Sequence, residues 1–250
     1  MTTAPYDQFA PLEIGASTRV FILTGAGISA ESGIATFRDV NGLWEKFRVE
    51  DVASPEGWAR DAEGVWRFYS QRRAQAETCA PNAAHRALGD LERAIGTRLF
   101  LCTQNVDPLH ERGGSTRVSH MHGELFKSRC EDPRCAAPPF EDHATYLGEL
   151  PRCNCGKRIR PHICWFGEMP FKMQRIEREL DLADVFVTIG SSGAVYPAAG
   201  FVRQVRQRMT QGERAKTIYV GPEAPDNADE FDECRLGKAG DAVPRLFEVI

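Results

Sequence analysis

The stretch RVFILTGAGISA, residues 19–30, decides the fold. Residues 19–24 (RVFILT) are apolar, β-branched and aromatic, too short for a helix, and run straight into glycine. They read as a buried first strand. Gly25-Ala26-Gly27-Ile28-Ser29-Ala30 follows as a G-x-G-x-x-A turn that opens towards a helix. Glycines in such a turn let backbone N–H groups approach a pyrophosphate, and the helix N-terminus adds positive potential. The motif alone is common, but directly after a buried strand it points to a dinucleotide. The dehydrogenase form needs an acidic residue about 20 positions on, at a second strand end. Residues 38–47 (RDVNGLWEKF) do not read as a strand end, so hydride transfer has no support.

Outward from this turn, comparable runs recur at residues 98–103 (RLFLCT), 184–190 (DVFVTIG) and 217–221 (TIYVG). Helical patterns lie between them. Residues 64–78 form one and 81–95 another, the latter with Ala84, Leu88, Leu91 and Ile95 at spacings of three and four. Residues 170–183 and 197–211 form two more, and a short helix is predicted to close the chain at 242–250. The fold class is therefore α/β, a Rossmann-like parallel sheet with helices on both faces. It draws on residues 1–39, 81–127 and 163–250. Residues 40–80 and 128–162 break the alternation and form a small domain, part helical and part zinc ribbon. With 31 Lys+Arg against 35 Asp+Glu the net charge is −4, which argues against nucleic acid as the main partner. The basic stretch 203–208 reads as the solvated face of a helix. No apolar run approaches the ~20 residues that span a bilayer, and the opening residues lack a signal pattern. A cytoplasmic protein without membrane contact, monomeric in the simplest case, is expected.

Four of the eight cysteines, Cys130, Cys135, Cys153 and Cys155, fall within 26 positions as C-x4-C, a 17-residue spacer and C-x-C. Two close pairs joined by a short ribbon can offer four thiolates to a tetrahedral Zn²⁺. The intervening residues 137–152 are too polar and proline-rich to build a core, so a metal staple makes physical sense. Because C-x-C is tighter than the usual C-x-x-C, His143 is the alternative to one of the thiolates. Four thiolates leave no open position, which makes the ion structural. Cys79, Cys102 and Cys234 read as incidental thiols.

Five further blocks stand in order with the cysteines. They are GAGISAESGIATFRD (25–39), TQNVD (103–107), HMHG (120–123), WFGE (165–168) and GSSGAVYPAAG (190–200). Together they resemble the signatures of the sirtuin family, the NAD-dependent protein-lysine deacylases, over roughly residues 18–250. The resemblance implies NAD as co-substrate and one structural Zn²⁺ per chain. It also implies attack of an acyl carbonyl oxygen on C1′ of the nicotinamide ribose, with release of nicotinamide. A base then activates a ribose hydroxyl, and the products are free lysine and 2′-O-acyl-ADP-ribose. Histidine suits that base because its pKa lies near neutrality. The family pattern puts it at His122, directly before Gly123. His120 is two residues away and shares a face with it in an extended segment. His85, His110 and His162 read as structural.

By the same resemblance Asn105, counted with the catalytic residues, and Asp107 orient the nicotinamide ribose and carboxamide. Gln104 sits beside them and Ile28 lines the same pocket. Gly25, Ala26, Gly27 and Ala30 cradle the dinucleotide, with Phe37 and Arg38 over the ribose and pyrophosphate. Gly190, Ser191 and Ser192 face the adenosine half, which Gly221, Glu223 and Ala239 complete. Two departures stand out: Pro108 replaces the usual glycine after Asp107, and Gly221 replaces a common asparagine.

Tyr69 and Arg72, spaced i, i+3 on the predicted helix 64–78, share one face. A guanidinium and a phenol together make a carboxylate clamp, although Y-x-x-R alone more often describes a core aromatic beside a surface arginine. Resemblance to the bacterial-type desuccinylase and demalonylase subgroup favours the clamp, with Ala53 as the small residue that widens the acyl pocket. The backbone of Cys164, Trp165, Phe166 and Gly167 would pair with an acylated-lysine peptide as an added strand. Removal of succinyl and malonyl groups, with some deacetylation, is the expectation. The alternatives are a deacetylase without acidic preference, a mono-ADP-ribosyltransferase on the same scaffold, and a non-catalytic sensor of NAD or ADP-ribose.

Overall fold

The computed structural model describes residues 1–34, 48–209 and 215–250. In chain order the strands are β1 (Thr2–Pro5), β2 (Leu12–Ile14), β3 (Val20–Thr24), β4 (Leu99–Thr103), β5 (Val118–His120) and β6 (Gly123–Cys130). They continue as β7 (Phe140–Glu141), β8 (Ile159–Ile163), β9 (Val185–Ile189), β10 (Lys216–Gly221), β11 (Glu233–Leu236) and β12 (Phe247–Val249). The helices are α1 (Gly27–Ala30), α2 (Val49–Val52), α3 (Pro55–Arg60), α4 (Ala62–Thr78) and α5 (Ala83–Ile95). After them come α6 (Leu109–Arg112), α7 (Met173–Asp181), α8 (Phe201–Met209) and α9 (Ala239–Ala242).

Seven strands form one sheet in the order β1-β11-β10-β9-β3-β4-β5, every pairing parallel. β3, β4 and β9 are buried along their whole length, which is why their sequences are continuously apolar. Ile22, Leu101 and Val187 pack on one side with Leu88 and Leu91 of α5 and Ala242 of α9. Phe21, Phe100 and Phe186 pack on the other with Ile176 of α7 and Val205 of α8. Thr24 pairs in register with Thr103 and Ile189, so the three central strands end level and their following loops emerge side by side. The chain leaves β3 for β4 and β5 on one side and returns to β9 and β10 on the other. That reversal, between β3 and β9, is where open parallel sheets place their ligands.

A third core joins α2, α3 and α4 to the antiparallel sheet β7-β6-β8 through Trp58, Trp66, Phe68, Tyr69, Leu125, Ile163 and Trp165. Inside it Arg73 donates to the Leu125 and Ala144 carbonyls at 2.9 and 2.8 Å and pairs with buried Asp142 at 3.3 Å. The ribbon is thereby tied to α4.

The predicted closing helix over 242–250 is corrected by the structure. α9 ends at Ala242, a 3-10 turn containing Pro244 follows, and β12 then pairs in parallel with β2. Proline cannot continue a helix interior, and Phe247 and Val249 suit a strand. β1 and β11 are further strands that the sequence pattern does not predict, because TTAP and ECRL are short and lack an apolar run.

Candidate active site

The glycine turn and the loop after β9 interlock. Gly25 N–H donates to the Ile189 carbonyl at 2.9 Å, and Gly27 N–H to that of Gly190 at 2.8 Å. A Cβ on Gly25 would stand 2.8 Å from the Gly190 oxygen, and one on Gly27 2.8 Å from Gly190 Cα. Gly190 itself has φ +64°, and its Cβ would meet the Ile28 nitrogen at 2.5 Å. These glycines therefore let two backbones touch, in addition to any room they leave for a ligand. The helix opened by the motif is a single turn, α1, with Ala26 at its start, buried Ile28 inside it and exposed Ala30 at its end. Phe37 and Arg38 lie outside the described residues.

Next to this turn, the loop after β4 brings a polar cluster out of the sheet edge. Asn105 Nδ2 donates to the Gly25 carbonyl and to Ser29 Oγ, both at 3.1 Å. Ser29 donates to Asp107 Oδ2 at 3.1 Å, and Leu109 N–H to Asp107 Oδ1 at 3.1 Å. Gln104 Nε2 reaches Ser191 Oγ at 2.9 Å, bridging the ends of β4 and β9. Burial holds the Asp107 carboxyl above its ordinary pKa, partly opposed by the donors from Leu109 and Ser29. Pro108 has φ −92°, which needs no glycine, and its missing N–H sits at the start of α6 where helices leave donors unused. Sequence reasoning gives Ser29 no part in the site; its hydroxyl, at the second position after the G-x-G, is the signal that could have found it.

Behind the cluster, His110 Nε2 lies 2.9 Å from Thr24 Oγ1, His85 Nε2 lies 3.5 Å from Ser29 Oγ, and the two rings are 5.0 Å apart. Burial lowers both pKa values, that of His85 to about 4, so neither ring carries charge near neutrality. His162 stacks on Phe171 with ring centroids 4.6 Å apart. These three match a structural role.

His120 and His122 differ in what their ring nitrogens meet. His120 Nδ1 faces the Asn105 carbonyl at 3.0 Å and Nε2 the Glu111 carboxylate at 2.8 Å. Both partners are acceptors, so both nitrogens donate and the ring is an imidazolium. Burial opposes that charge, but Glu111 and the carbonyl outweigh it and raise the pKa. His122 Nδ1 donates to the Gln104 carbonyl at 3.0 Å, which leaves Nε2 as the lone-pair nitrogen. Burial lowers its pKa, offset in part by Gln104. A neutral ring with one free basic nitrogen is what a general base requires.

The residues expected on the acyl side lie on and beside α4. Tyr69 is buried and its phenol oxygen accepts from Trp165 Nε1 at 3.0 Å. Arg72 is half-buried; burial lowers its pKa, while Tyr69 and Asp107 act on it in the other direction. Arg72 thus feels both Tyr69 and the polar cluster. Ala53 is buried at the end of α2, and its carbonyl accepts from Phe166 N–H at 3.0 Å. Cys164 N–H donates to the His122 carbonyl at 2.8 Å, so the 164–167 segment is fastened to both His122 and Ala53. Phe166 and Gly167 are exposed. On the opposite flank Ser192 is half-buried, Ala239 opens α9, and Glu223 is exposed. At Gly221 a Cβ would run into the Tyr219 phenol, which occupies the space a larger side chain would need.

The four ribbon cysteines converge, with all Sγ atoms within 4.8 Å of one another. Cys130 and Cys155 are 3.5 Å apart, Cys135 and Cys153 3.7 Å. Tetrahedral Zn–S bonds of about 2.3 Å require S···S of about 3.8 Å, so the set fits zinc closely. The tight C-x-C works because Gly156, at φ +85°, closes a turn onto the Cys153 carbonyl at 2.8 Å. His143 is not the fourth ligand: it stacks on Phe126 at 4.8 Å with Nδ1 3.3 Å from Glu77.

A family model described as "Sir2 family" matches residues 25–197. An NAD-dependent protein deacylase of Vibrio parahaemolyticus is 51% identical over 236 residues, covering 92% of this chain and 94% of its own. A solved Sir2 homolog–NAD complex aligns with TM-score 0.82 at 40% identity, over 92% of this chain and 89% of that one. A Sir2 structure bound to acetylated peptide aligns with TM-score 0.73 at 25% identity, over 91% of each chain.

Proposed function

The chain belongs to the Sir2 family and is an NAD-dependent protein deacylase; we propose that it favours lysines carrying acidic acyl groups, succinyl and malonyl, over acetyl-lysine. The interlocked glycine turns and the Ser29–Asn105–Asp107 cluster at the β3/β9 reversal fit a dinucleotide. NAD supplies the ribose carbon that exchanges nicotinamide for the acyl oxygen; the ribose hydroxyl and one water then take the acyl carbon from nitrogen, so that the acyl group leaves as 2′-O-acyl-ADP-ribose and lysine is freed. Asn105 and Asp107 hold the nicotinamide end in reactive orientation, which is worth several kcal/mol, on the order of other proximity effects. His122 Nε2 takes the ribose hydroxyl proton while Nδ1 stays on the Gln104 carbonyl. The acylated peptide pairs with the backbone of residues 164–167 as an added strand, a mode that tolerates many sequences.

The observation that carries the acyl preference is the placing of Tyr69 and Arg72 three residues apart on α4, with the small side chain of Ala53 in the same core as Tyr69. Turnover of acetyl, malonyl, succinyl and glutaryl peptides, read by mass spectrometry, tests it. Tyr69→Phe combined with Arg72→Met is expected to lower the succinyl-to-acetyl kcat/KM ratio about 100-fold or more, the loss of charge-assisted hydrogen bonds. Equal loss on both substrates would rule out the clamp. The same spectra separate deacylation from ADP-ribosyl transfer, since only the former yields O-acyl-ADP-ribose.

A further inference from the structure

Trp165 is held from several directions. Its backbone N–H donates to Glu168 Oε2 at 2.8 Å, and the Arg160 guanidinium lies 3.3 Å from its ring centroid. Trp58 packs on it with centroids 5.8 Å apart at 41°. Trp58 is itself tied, because its Nε1–H donates to Glu131 Oε2 at 2.8 Å and Arg158 covers its ring at 4.9 Å. Arg158 N–H and Nε–H also donate to Glu131, at 3.0 and 2.8 Å. Glu131 directly follows the metal-cluster residue Cys130. A continuous chain of contacts therefore runs from the cysteine ribbon through two indoles, and it ends on the phenol oxygen of Tyr69 at 3.0 Å.

The direction of that last bond matters. An indole N–H can only donate, so the Tyr69 oxygen must accept, and the single phenolic hydrogen has to point elsewhere. A carboxylate can only accept. We propose that the Trp165 indole is a positioning residue for acyl selection: by occupying the acceptor side of Tyr69 it turns the phenolic hydrogen towards the carboxylate of an acidic acyl chain. An acetyl group has no such carboxylate and is indifferent to this orientation. The inference rests on the reading of Tyr69 and Arg72 as an acidic-acyl clamp. Burial, which raises the phenol pKa to about 12, keeps that hydrogen in place across the working pH range.

Trp165→Phe keeps an aromatic ring between Trp58 and Arg160 and removes the N–H together with part of the indole's volume. Kinetics on succinyl and acetyl peptides would be compared for wild type, Trp165→Phe, Tyr69→Phe and the double variant. The succinyl-to-acetyl ratio cancels any loss common to both substrates, including disturbance of the peptide-binding segment. Trp165→Phe is expected to lower that ratio about tenfold, mainly through the KM for succinyl peptide, the size of one hydrogen bond. Within the Tyr69→Phe background it should lower the ratio no further. A ratio within twofold of wild type, or an undiminished effect when Tyr69 is already Phe, overturns the inference. Should Trp165→Phe not fold, β-(3-benzothienyl)alanine at position 165 keeps the bicyclic ring and replaces the N–H by sulfur; a fall in the ratio supports the proposal and an unchanged ratio overturns it. Tyr69→Phe alone separates the two failures: if it leaves the ratio unchanged, the clamp reading itself is wrong.

Discussion

His120 and His122 stand two residues apart and are hydrogen-bonded to carbonyls of adjacent residues, Asn105 and Gln104. What divides them is the second ring nitrogen, taken by Glu111 in one and left basic in the other. Because burial lowers the His122 pKa, its neutral form grows as pH rises through a value below about 6.5. The acid limb of kcat/KM should therefore have its midpoint below that pH and be flat near 7, and His122→Ala should remove the limb with a loss of about 100-fold or more. A pH–rate profile with an unchanged acid limb in His122→Ala would place the base elsewhere. His120 works in the opposite sense. Its folded pKa is raised, so the ion pair with Glu111 contributes stability below about pH 6.5, and that contribution disappears as pH rises through the raised value. Urea unfolding of Glu111→Gln should show its deficit at pH 6 and converge on wild type towards pH 9. The sequence spacing puts both rings on one face but carries no information about acceptors, because Glu111 and Asn105 arrive from other elements. That is why only the family pattern, and not the residues alone, can choose between the two.

Elements are legible in the sequence where burial is complete. β3, β4 and β9 show as apolar runs because both faces of each are covered, and α5 shows because Ala84, Leu88, Leu91 and Ile95 form one stripe against the sheet. β1 and β12 do not show, since edge or two-stranded pairing is held by backbone bonds that any short extended segment can make, and β11, though paired on both sides, does not show because ECRL is short and half charged. The glycines are legible as a motif, but their packing role is not, because the partner backbone belongs to a loop some 160 residues later. Two glycines with similar positive φ make this difference measurable. Gly96, at φ +61°, has nothing within 4 Å of where a Cβ would stand, whereas at Gly190, φ +64°, the Ile28 nitrogen is 2.5 Å away. Gly96→Ala should cost about 1–3 kcal/mol in unfolding free energy, the strain of its φ +61°, ψ −132° backbone alone. Gly190→Ala, also at positive φ, must in addition separate the β3 and β9 loops, so it should weaken NAD binding at least about tenfold where Gly96→Ala leaves it unchanged. Calorimetry with and without NAD distinguishes the two; equal effects would mean that the interlock has no part in binding.

Across the whole molecule, the cysteine cluster and the proposed base lie at opposite ends of one strand. His122 immediately precedes β6 and Cys130 ends it, so they stand eight residue steps apart. At a rise of about 3.3 Å per residue this is roughly 25 Å, far beyond any direct part for a zinc ion in proton transfer. Removing the ion must act through the third core instead, because Cys130 leads through Glu131 and Trp58 to Trp165 and Tyr69. The NAD cluster is anchored differently, on β3, β4 and β9, whose two cores share no residue with the third. Cys153→Ser should therefore lower the zinc content from one ion per chain and abolish most peptide turnover. NAD should still raise the melting temperature of the variant, since its site is built on the remaining cores. Metal analysis, turnover and thermal shift on one preparation decide the matter. A variant that loses zinc and keeps full succinyl turnover would disconnect the ribbon from the acyl pocket. One that no longer responds to NAD at all would show that the ribbon and the large sheet stand or fall together.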